Sequence, residues 1–172
     1  MEFHFQPVWL AQVVQAAARN TLKLSSGREI DLQIDYDTIP KQPTFADPDR
    51  MIQVIQKVLM NAVKYTPDGG YIVVHGRELP GIVEVMVKDS GIGIATSNLP
   101  HIFEPFSALG DASLHSSGKS KFKGGGPGLG LPIAKGILEA HGGTIWAESD
   151  GYDEKTYPGS TFHIMIPMHT EP

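Results

Sequence analysis

Residues 47–67, DPDRMIQVIQKVLMNAVKYTP, contain the strongest pattern in this chain of 172 residues. The DPD at 47–49 supplies an N-cap, a proline suited to a first helical turn and an acid near the positive end of the helix dipole. At about 100° per residue, the apolar residues fill half of the helix circumference, while Lys57, Asn61 and Lys64 fall on the other side. The stretch therefore predicts a helix with one packed face and one face free for chemistry.

Upstream of this helix the sequence predicts another helix and two strands. A helix begins at Leu10 and ends before the turn at 25–27, because its apolar residues have helical spacing. Ile30, Leu32, Ile34 and Tyr36 alternate with polar residues, which indicates a half-buried strand. A short strand at 44–46 is expected to follow.

Downstream, two strands at 71–77 and 82–88 form a predicted hairpin whose core face holds Val83, Val85 and Val87. A last helix is predicted at about 129–141, with an apolar stripe made of Leu129, Ile133, Ile137 and Ala140. Strands at 144–148 and 160–167 complete the sheet. The predicted fold is α+β, a two-layer α/β sandwich in which about three helices cover one face of a mixed, mostly antiparallel sheet.

Composition limits the class of protein. A chain of this length with 41% hydrophobic residues is expected to form a single domain over 1–172. It contains no cysteine, no apolar run near the roughly 20 residues of a membrane helix and no signal-peptide pattern. These features predict a cytoplasmic domain without direct membrane contact, whether or not its parent protein is membrane-anchored. The net charge of −5 argues against a nucleic-acid surface.

The segment at about 107–127 is rich in Ser, Gly and Lys and lacks apolar periodicity, so it predicts a long loop that serves as a lid. It runs into GGGPGLGL at 124–131. Gly126, Gly128 and Gly130 precede and enter the last helix, so backbone amides there can point at a phosphate. The pattern is not a Walker loop, because GxxxxGK followed by Ser or Thr is absent.

Two further segments have side chains suited to a ligand. Asn61 and Lys64 lie three apart on the helix, where Asn offers an oxygen to a hard cation and Lys a charge to phosphate. Asp89 begins DSGIG at the end of a strand; its carboxylate can accept from an amino group while glycines let backbone approach a flat ring. Taken singly, these features are better explained by a solvated polar helix face and a capped turn, and only their occurrence together with the other motifs favours a ligand site.

The segments NAVKYTP, DSGIG, HIFEPF at 101–106 and GGGPGLGL occur in the order of the N, G1, F and G2 boxes of sensor histidine kinases. The chain, over about residues 5–168, resembles the ATP-binding catalytic domain of these kinases. They are a branch of the ATPase superfamily shared with gyrase, the heat-shock ninety chaperones and mismatch-repair ATPases. The resemblance implies ATP and Mg²⁺ as cofactors, with Asn61 binding the metal and Asp89 the adenine amino group.

The resemblance also implies roles for other residues. Lys64 and Tyr65 would face the phosphates and sugar, Ile94 would line the base pocket, and Thr161 would support the nucleotide or lid. Phe103 and Phe106 are interpreted as core anchors for one end of the lid. The full set of expected nucleotide-binding residues is Asn61, Lys64, Tyr65, Asp89, Gly91, Gly93, Ile94, Lys123, Gly126, Gly128, Leu129, Gly130, Leu131 and Thr161. Lys119 and Lys121 are further candidates for phosphate contact.

The implied function is to bind magnesium ATP and present its γ-phosphate to a histidine on the dimerisation helices of a longer kinase. The phosphate would then pass to a response regulator. None of the seven histidines resembles a phosphoacceptor, which is normally followed by an acid, so those helices are expected outside this chain and the chain alone should not phosphorylate itself. No nucleic-acid partner is expected.

The chain departs from the family pattern at several positions. Lys57 stands where several such kinases have Asn, Pro127 stands where many relatives have Ser or Thr, and the usual arginine is missing from 107–113. No Glu occurs at 50–64 to activate water, so ATP hydrolysis should be poor. Two other functions remain open: a nucleotide-dependent interaction module without phosphotransfer, and a serine kinase of the anti-sigma type.

Overall fold

The computed structural model describes residues 2–105 and 130–168. The predicted lid at 107–127 lies outside these ranges. Within them the helices are α1 Leu10–Leu24, α2 Pro48–Tyr65 and α3 Gly130–Ala140, with single 3-10 turns at Tyr36–Thr38 and Leu99–His101. The strands are β1 Gln6–Val8, β2 Asp31–Ile34, β3 Thr44–Ala46, β4 Tyr71–Leu79, β5 Ile82–Asp89, β6 Thr144–Glu148 and β7 Ser160–Pro167. None of the helices in these ranges is both long and apolar enough to span a bilayer.

The main sheet has the strand order β2-β4-β5-β7-β6. β2 runs parallel to β4, and every other neighbouring pair is antiparallel. This arrangement confirms the predicted mixed, mostly antiparallel sheet and its helical layer. β3 does not join this sheet but pairs with β1 in a separate two-stranded ribbon, with Pro7 opposite Phe45. β1 was not predicted, because three residues are too few to show an alternation.

The core lies between the helices and one face of the sheet. Val83, Val85 and Val87 of β5 are fully buried, as their alternation predicted. They face the apolar side of α2, where Val58 and Leu59 are also fully buried. Burying side chains of this size contributes about 1.5–3 kcal/mol each to folding. This packing leaves the polar stripe of α2 turned away from the sheet.

Asp47 fixes the start of α2. Its Oδ1 accepts a hydrogen bond from the backbone N–H of Arg50 at 3.1 Å, and its Oδ2 accepts from that of His4 at 2.8 Å. Burial alone would raise the pKa of Asp47, but these backbone hydrogen bonds hold it below its ordinary value. The predicted N-cap is therefore confirmed, and it also attaches the N-terminal segment to α2.

Two predicted elements have different limits or faces. β2 ends at Ile34, because the chain turns into the 3-10 segment that follows, and Tyr36 is exposed rather than half-buried. In α3, Ala140 is exposed; the buried residues are Leu131, Ala134, Ile137 and Leu138. The packed face of α3 is thus rotated from the predicted stripe, because α3 packs against α2 as well as the sheet.

Candidate functional site

Asp89 ends β5 and is held in one orientation by three hydrogen bonds. Its Oδ1 accepts from the backbone N–H groups of Gly91 at 2.9 Å and Ser160 at 3.3 Å. Its Oδ2 accepts from the Ser160 hydroxyl at 2.8 Å. Among the described residues Oδ2 accepts only this bond, so it retains capacity for a donor from a ligand.

The environment of Asp89 shifts its ionisation. Burial raises the pKa of the carboxyl to about 6, and the hydrogen bonds from Ser160 and Gly91 only partly oppose that shift. Most Asp89 side chains are therefore ionised at neutral pH. An ionised carboxylate is only an acceptor, which suits an amino group rather than a carbonyl on the ligand.

The glycines after Asp89 allow close approach between segments of backbone. A Cβ on Gly91 would lie 2.3 Å from the carbonyl oxygen of Tyr65. Gly93 has φ +76°, and a Cβ there would lie 1.9 Å from the carbonyl oxygen of Gly151. The loop is tied to the end of α2 by a hydrogen bond from Ile92 N–H to Tyr65 O at 3.0 Å.

Ile94 closes this loop on its buried side. Its side chain is 3% exposed and belongs to the main core, while its backbone N–H donates to Ser149 Oγ at 2.9 Å. The same Ser149 hydroxyl donates to the carbonyl of Gly159 at 2.8 Å. Ile94 therefore contributes an apolar wall that is fixed relative to the β7 end of the site.

The end of α2 presents a polar oxygen, a cation and a phenol. Asn61 is half-buried, and its amide makes no hydrogen bond to the described part of the chain. Lys64 Nζ lies 5.2 Å from the centroid of the Tyr65 ring, within the range of a cation–π contact. Burial lowers the pKa of Lys64.

Tyr65 is set to donate a hydrogen bond. Burial, and then the nearby Tyr152 phenol, raise its pKa to about 12. The phenol therefore keeps its proton at neutral pH. Since the Tyr65 carbonyl also binds the loop after Asp89, one residue joins the two halves of the candidate site.

Three other predicted nucleotide-binding residues, Gly130, Leu131 and Thr161, lie in different surroundings. Gly130 begins α3 beside α2, where a Cβ on it would lie 3.6 Å from Lys57 Cδ, and Leu131 is buried in the core. Thr161 is half-buried and follows Ser160 on β7, so alternation places the two side chains on opposite faces of the sheet. The structure thus brings Ser160, not Thr161, to the Asp89 carboxylate.

Seven of the predicted residues lie outside the described part of the chain. They are Phe106, Lys119, Lys121, Lys123, Gly126, Gly128 and Leu129. Phe103 is half-buried and makes an edge-to-face contact with Phe162, with 6.2 Å between the ring centroids. This contact is consistent with the predicted anchoring role of Phe103.

Ser160 was missed by reasoning from the sequence. The sequence feature that could have identified it is its position on the same face of β7 as the core-facing Phe162, Ile164 and Ile166. A serine at the start of such a row has to find a polar partner when it is buried. The partner, Asp89, becomes visible only when β5 and β7 are paired with these two residues opposite each other.

The donor set fits an adenine nucleotide with a magnesium ion. The buried Asp89 carboxylate is a hydrogen-bond acceptor, and it lies beside the glycine backbone at 91 and 93. This combination suits a flat ring that carries an amino group. The amide oxygen of Asn61, which has no hydrogen-bond partner among the described residues, suits a cation that keeps water and phosphate oxygens as its other ligands. The Lys64 ammonium, one turn away, suits phosphate.

Residues 46–170 match the family model described as "Histidine kinase-, DNA gyrase B-, and HSP90-like ATPase". The sensor histidine kinase WalK of Bacillus subtilis (strain 168) is 38% identical over 128 residues, which cover 73% of this chain and 19% of that protein. The circadian input-output histidine kinase CikA of a Synechocystis strain is 31% identical over 166 residues, covering 95% and 20%. The chain thus spans about a fifth of the length of these curated relatives.

Solved structures show the same likeness. The mycobacterial sensor histidine kinase MprB matches with a TM-score of 0.72 at 26% identity, covering 95% of this chain and 99% of that one. A structure of the histidine kinase ThkA in complex with the response regulator protein TrrA matches with a TM-score of 0.71 at 25% identity, covering 95% and 42%.

Proposed function

The chain belongs to the family of histidine kinase-, DNA gyrase B- and HSP90-like ATPases, and we propose that it is the ATP-binding catalytic domain of a sensor histidine kinase. It binds ATP with Mg²⁺ and presents the γ-phosphate to a histidine on dimerisation helices outside residues 1–172. The observation that supports this function most directly is the buried Asp89 carboxylate, oriented by Gly91 and Ser160.

Asp89 selects adenine. Its Oδ2 accepts a hydrogen bond from the amino group of the base, while Gly91 lets the backbone lie close to the ring. Guanine carries a carbonyl oxygen at the corresponding ring position, so two acceptors would face each other. Leaving buried polar groups unmatched in this way costs about 1–3 kcal/mol. The site therefore prefers ATP to GTP.

The α2 stripe positions the phosphates. The Asn61 oxygen would be a magnesium ligand, and the Lys64 ammonium would lie against phosphate oxygens. When bound, Mg²⁺ supplies charge neutralisation for the transferred group. On the basis of the sequence pattern, backbone amides near Gly126, Gly128 and Gly130 and the side chain of Lys123 would also contact the phosphates. In this function the domain acts by positioning and charge stabilisation, and the base for the acceptor histidine comes from elsewhere.

The partners proposed for this domain are the phosphoacceptor helices of its parent kinase and a response regulator. The surroundings of three of the five described histidines support an acceptor outside the chain. His141 and His163 are 6% exposed and hydrogen-bonded to neighbours, and His101 contacts Glu104. The ThkA structure, which contains TrrA, supports a response regulator as the second partner.

Calorimetric titration with ATP and GTP in the presence of Mg²⁺ tests the nucleotide site, with Asp89→Asn as the variant. Because two N–H groups point at Oδ1, the amide oxygen must occupy that position, which turns the NH₂ towards the ligand amino group. We expect ATP to bind about 10- to 100-fold more weakly to the variant. Asp37→Asn, an exposed change of equal charge, is the control.

Wild-type protein that binds neither nucleotide would contradict the proposed function. Equal affinity for ATP and GTP would contradict the role of Asp89. Phosphotransfer needs a separate test, in which the domain and labelled ATP are mixed with added dimerisation helices. An acid-labile product supports a histidine kinase; an acid-stable product supports a serine kinase, and no product supports an interaction module.

A further inference from the structure

Lys57 extends the polar stripe of α2 by one turn beyond the residues assigned above. It precedes Asn61 by four positions and Lys64 by seven, so at about 100° per residue the three side chains leave the helix within about 60° of each other. All three are half-buried. At a rise of about 1.5 Å per residue, Lys57 and Lys64 are separated by about 10 Å along the helix, with Asn61 between them.

The aliphatic part of Lys57 is directed towards the beginning of α3. A Cβ placed on Gly130 would contact Lys57 Cδ at 3.6 Å, an ordinary van der Waals distance. The ammonium lies two bonds beyond Cδ, so it remains close to the junction of α2 and α3. A lysine can bury its stem in this way while keeping its charged end available.

Among the described residues, the charge of Lys57 has no acidic partner. The described part of the chain places no carboxylate within ion-pair distance of its ammonium, although the chain has 19 acidic and 14 basic residues. By contrast, Lys135 on α3 lies 3.9 Å from Glu139. A half-buried lysine that has no acidic partner in the described part of an acidic protein is a candidate for binding an anionic ligand.

We propose that Lys57 is a second phosphate-binding lysine of the ATP site, on the opposite side of Asn61 from Lys64. This inference rests on the proposed function. The two ammonium groups would hold the phosphate chain between them along α2, with the cation bound by Asn61 near its middle. Lys57 would therefore contribute to binding of the β- and γ-phosphates and not to recognition of the base.

The test measures the affinity of ATP, ADP and AMP for wild-type protein and for Lys57→Gln, Lys57→Arg and Lys23→Gln. Lys23→Gln removes the same charge from an exposed position on α1. For Lys57→Gln we expect ATP to bind about 10-fold or more weakly, because a charge-assisted contact is lost, while AMP stays within about twofold of wild type. Lys57→Arg should recover most ATP affinity, and Lys23→Gln should match wild type.

The inference is overturned if Lys57→Gln binds ATP as wild type does, or if it loses ATP and AMP equally. If wild-type protein binds ATP in either of these cases, only the inference on Lys57 fails and the proposed function is retained. If wild-type protein does not bind ATP, both the inference and the proposed function fail. A measurement on wild-type protein alone tests the inference if Lys57→Gln does not fold. In wild-type protein, ATP but not AMP should protect Lys57 from an amine-modifying reagent detected by mass spectrometry, and absence of protection would overturn the inference.

Discussion

At the scale of single residues, Asp89 combines a functional requirement with a cost in stability. The carboxylate is 3% exposed, and burial of its charge is the largest influence on its ionisation. The three hydrogen bonds from Ser160 and Gly91 orient it but do not fully replace water. A neutral residue would satisfy the fold at least as well, so the charge is explained by its proposed ligand.

The ionisation of Asp89 predicts how ATP affinity depends on pH. Because the pKa of Asp89 is raised to about 6, acidification through pH 6 protonates it in the free protein. The protonated acid turns one oxygen into a donor and weakens its bond to the adenine amino group. We expect ATP affinity to fall by about tenfold per pH unit below 6, since binding then requires release of the proton.

Calorimetry between pH 5 and 8 measures this dependence. Adenosine serves as a control, because it shares the adenine but has no phosphate, and phosphate groups titrate near pH 6–7. Affinities of ATP and adenosine that stay constant from pH 7.5 to pH 5 would contradict the prediction.

Gly91 provides a second prediction at this scale. In Gly91→Ala the added Cβ would lie 2.3 Å from the Tyr65 carbonyl oxygen, which is backbone and cannot move aside without displacing the end of α2. We expect a loss of about 2 kcal/mol or more of unfolding free energy, together with weaker ATP binding. Urea denaturation and nucleotide titration measure the two effects.

Gly136→Ala is the matched control for Gly91→Ala. Gly136 lies on the exposed side of α3, and a Cβ there meets nothing within 4 Å. Alanine should stabilise the helix by about 1 kcal/mol and leave ATP binding unchanged. Equal behaviour of the two variants would show that close backbone packing at Gly91 is unimportant.

At the scale of elements, an ionic network joins four strands on the sheet face opposite the helices. Glu84 of β5 is fully buried and accepts from Arg77 Nε of β4 at 2.5 Å and from His163 Nδ1 of β7 at 2.5 Å. His163 Nε2 faces Glu148 Oε1 of β6 at 2.6 Å. Trp146 stacks on the imidazole, with 3.8 Å between ring centroids.

This network predicts a large effect of His163→Ala. Burial would raise the pKa of Glu84, but the hydrogen bonds from His163 and Arg77 hold it below its ordinary value. Removal of His163 leaves a buried carboxylate with one partner, so we expect a loss of about 3 kcal/mol of unfolding free energy. Urea denaturation measures this loss.

The double variant Glu84→Gln with His163→Ala distinguishes loss of charge pairing from loss of packing. Removal of the charge should restore part of the stability, which gives a favourable coupling energy between the two substitutions. If the double variant loses as much unfolding free energy as the two single variants lose together, charge pairing between Glu84 and His163 does not contribute to stability.

At the scale of the whole molecule, two groups of acids give stability opposite dependences on pH. Asp89 has a raised pKa, so the folded state binds more protons than the unfolded state between about pH 6 and 4, and stability rises as pH falls through that range. Glu84 and Asp47 have lowered pKa values, so their contribution is present above about pH 4 and is lost on further acidification.

We therefore expect maximum stability between about pH 4 and 6. The Asp89 contribution is of the order of 3 kcal/mol, because a shift of one pKa unit corresponds to about 1.4 kcal/mol. Urea unfolding from pH 3 to 8 measures the profile. In Asp89→Asn the rise from pH 7 to 5 should shrink while the acidic decline remains, and an unchanged profile would contradict the assignment.

The sequence by itself determined most of the elements and the family. Local periodicity located α1, α2 and the β4–β5 hairpin, because a helix or strand repeats its side-chain direction every few residues. The order of the motifs, from Asn61 to the glycines before α3, indicated the family and the residues for metal, phosphate and base. These features are encoded by residues close together in the chain.

Only the tertiary structure decided which distant residues meet. Ser160 is 71 residues from Asp89, and their contact depends on the register between β5 and β7. The packing of Lys57 against Gly130 depends on how α3 lies on α2, and the same packing rotates the buried face of α3 away from the predicted stripe. Periodicity fixes the direction of a side chain relative to its own element, whereas its partner is fixed by the packing of elements against each other.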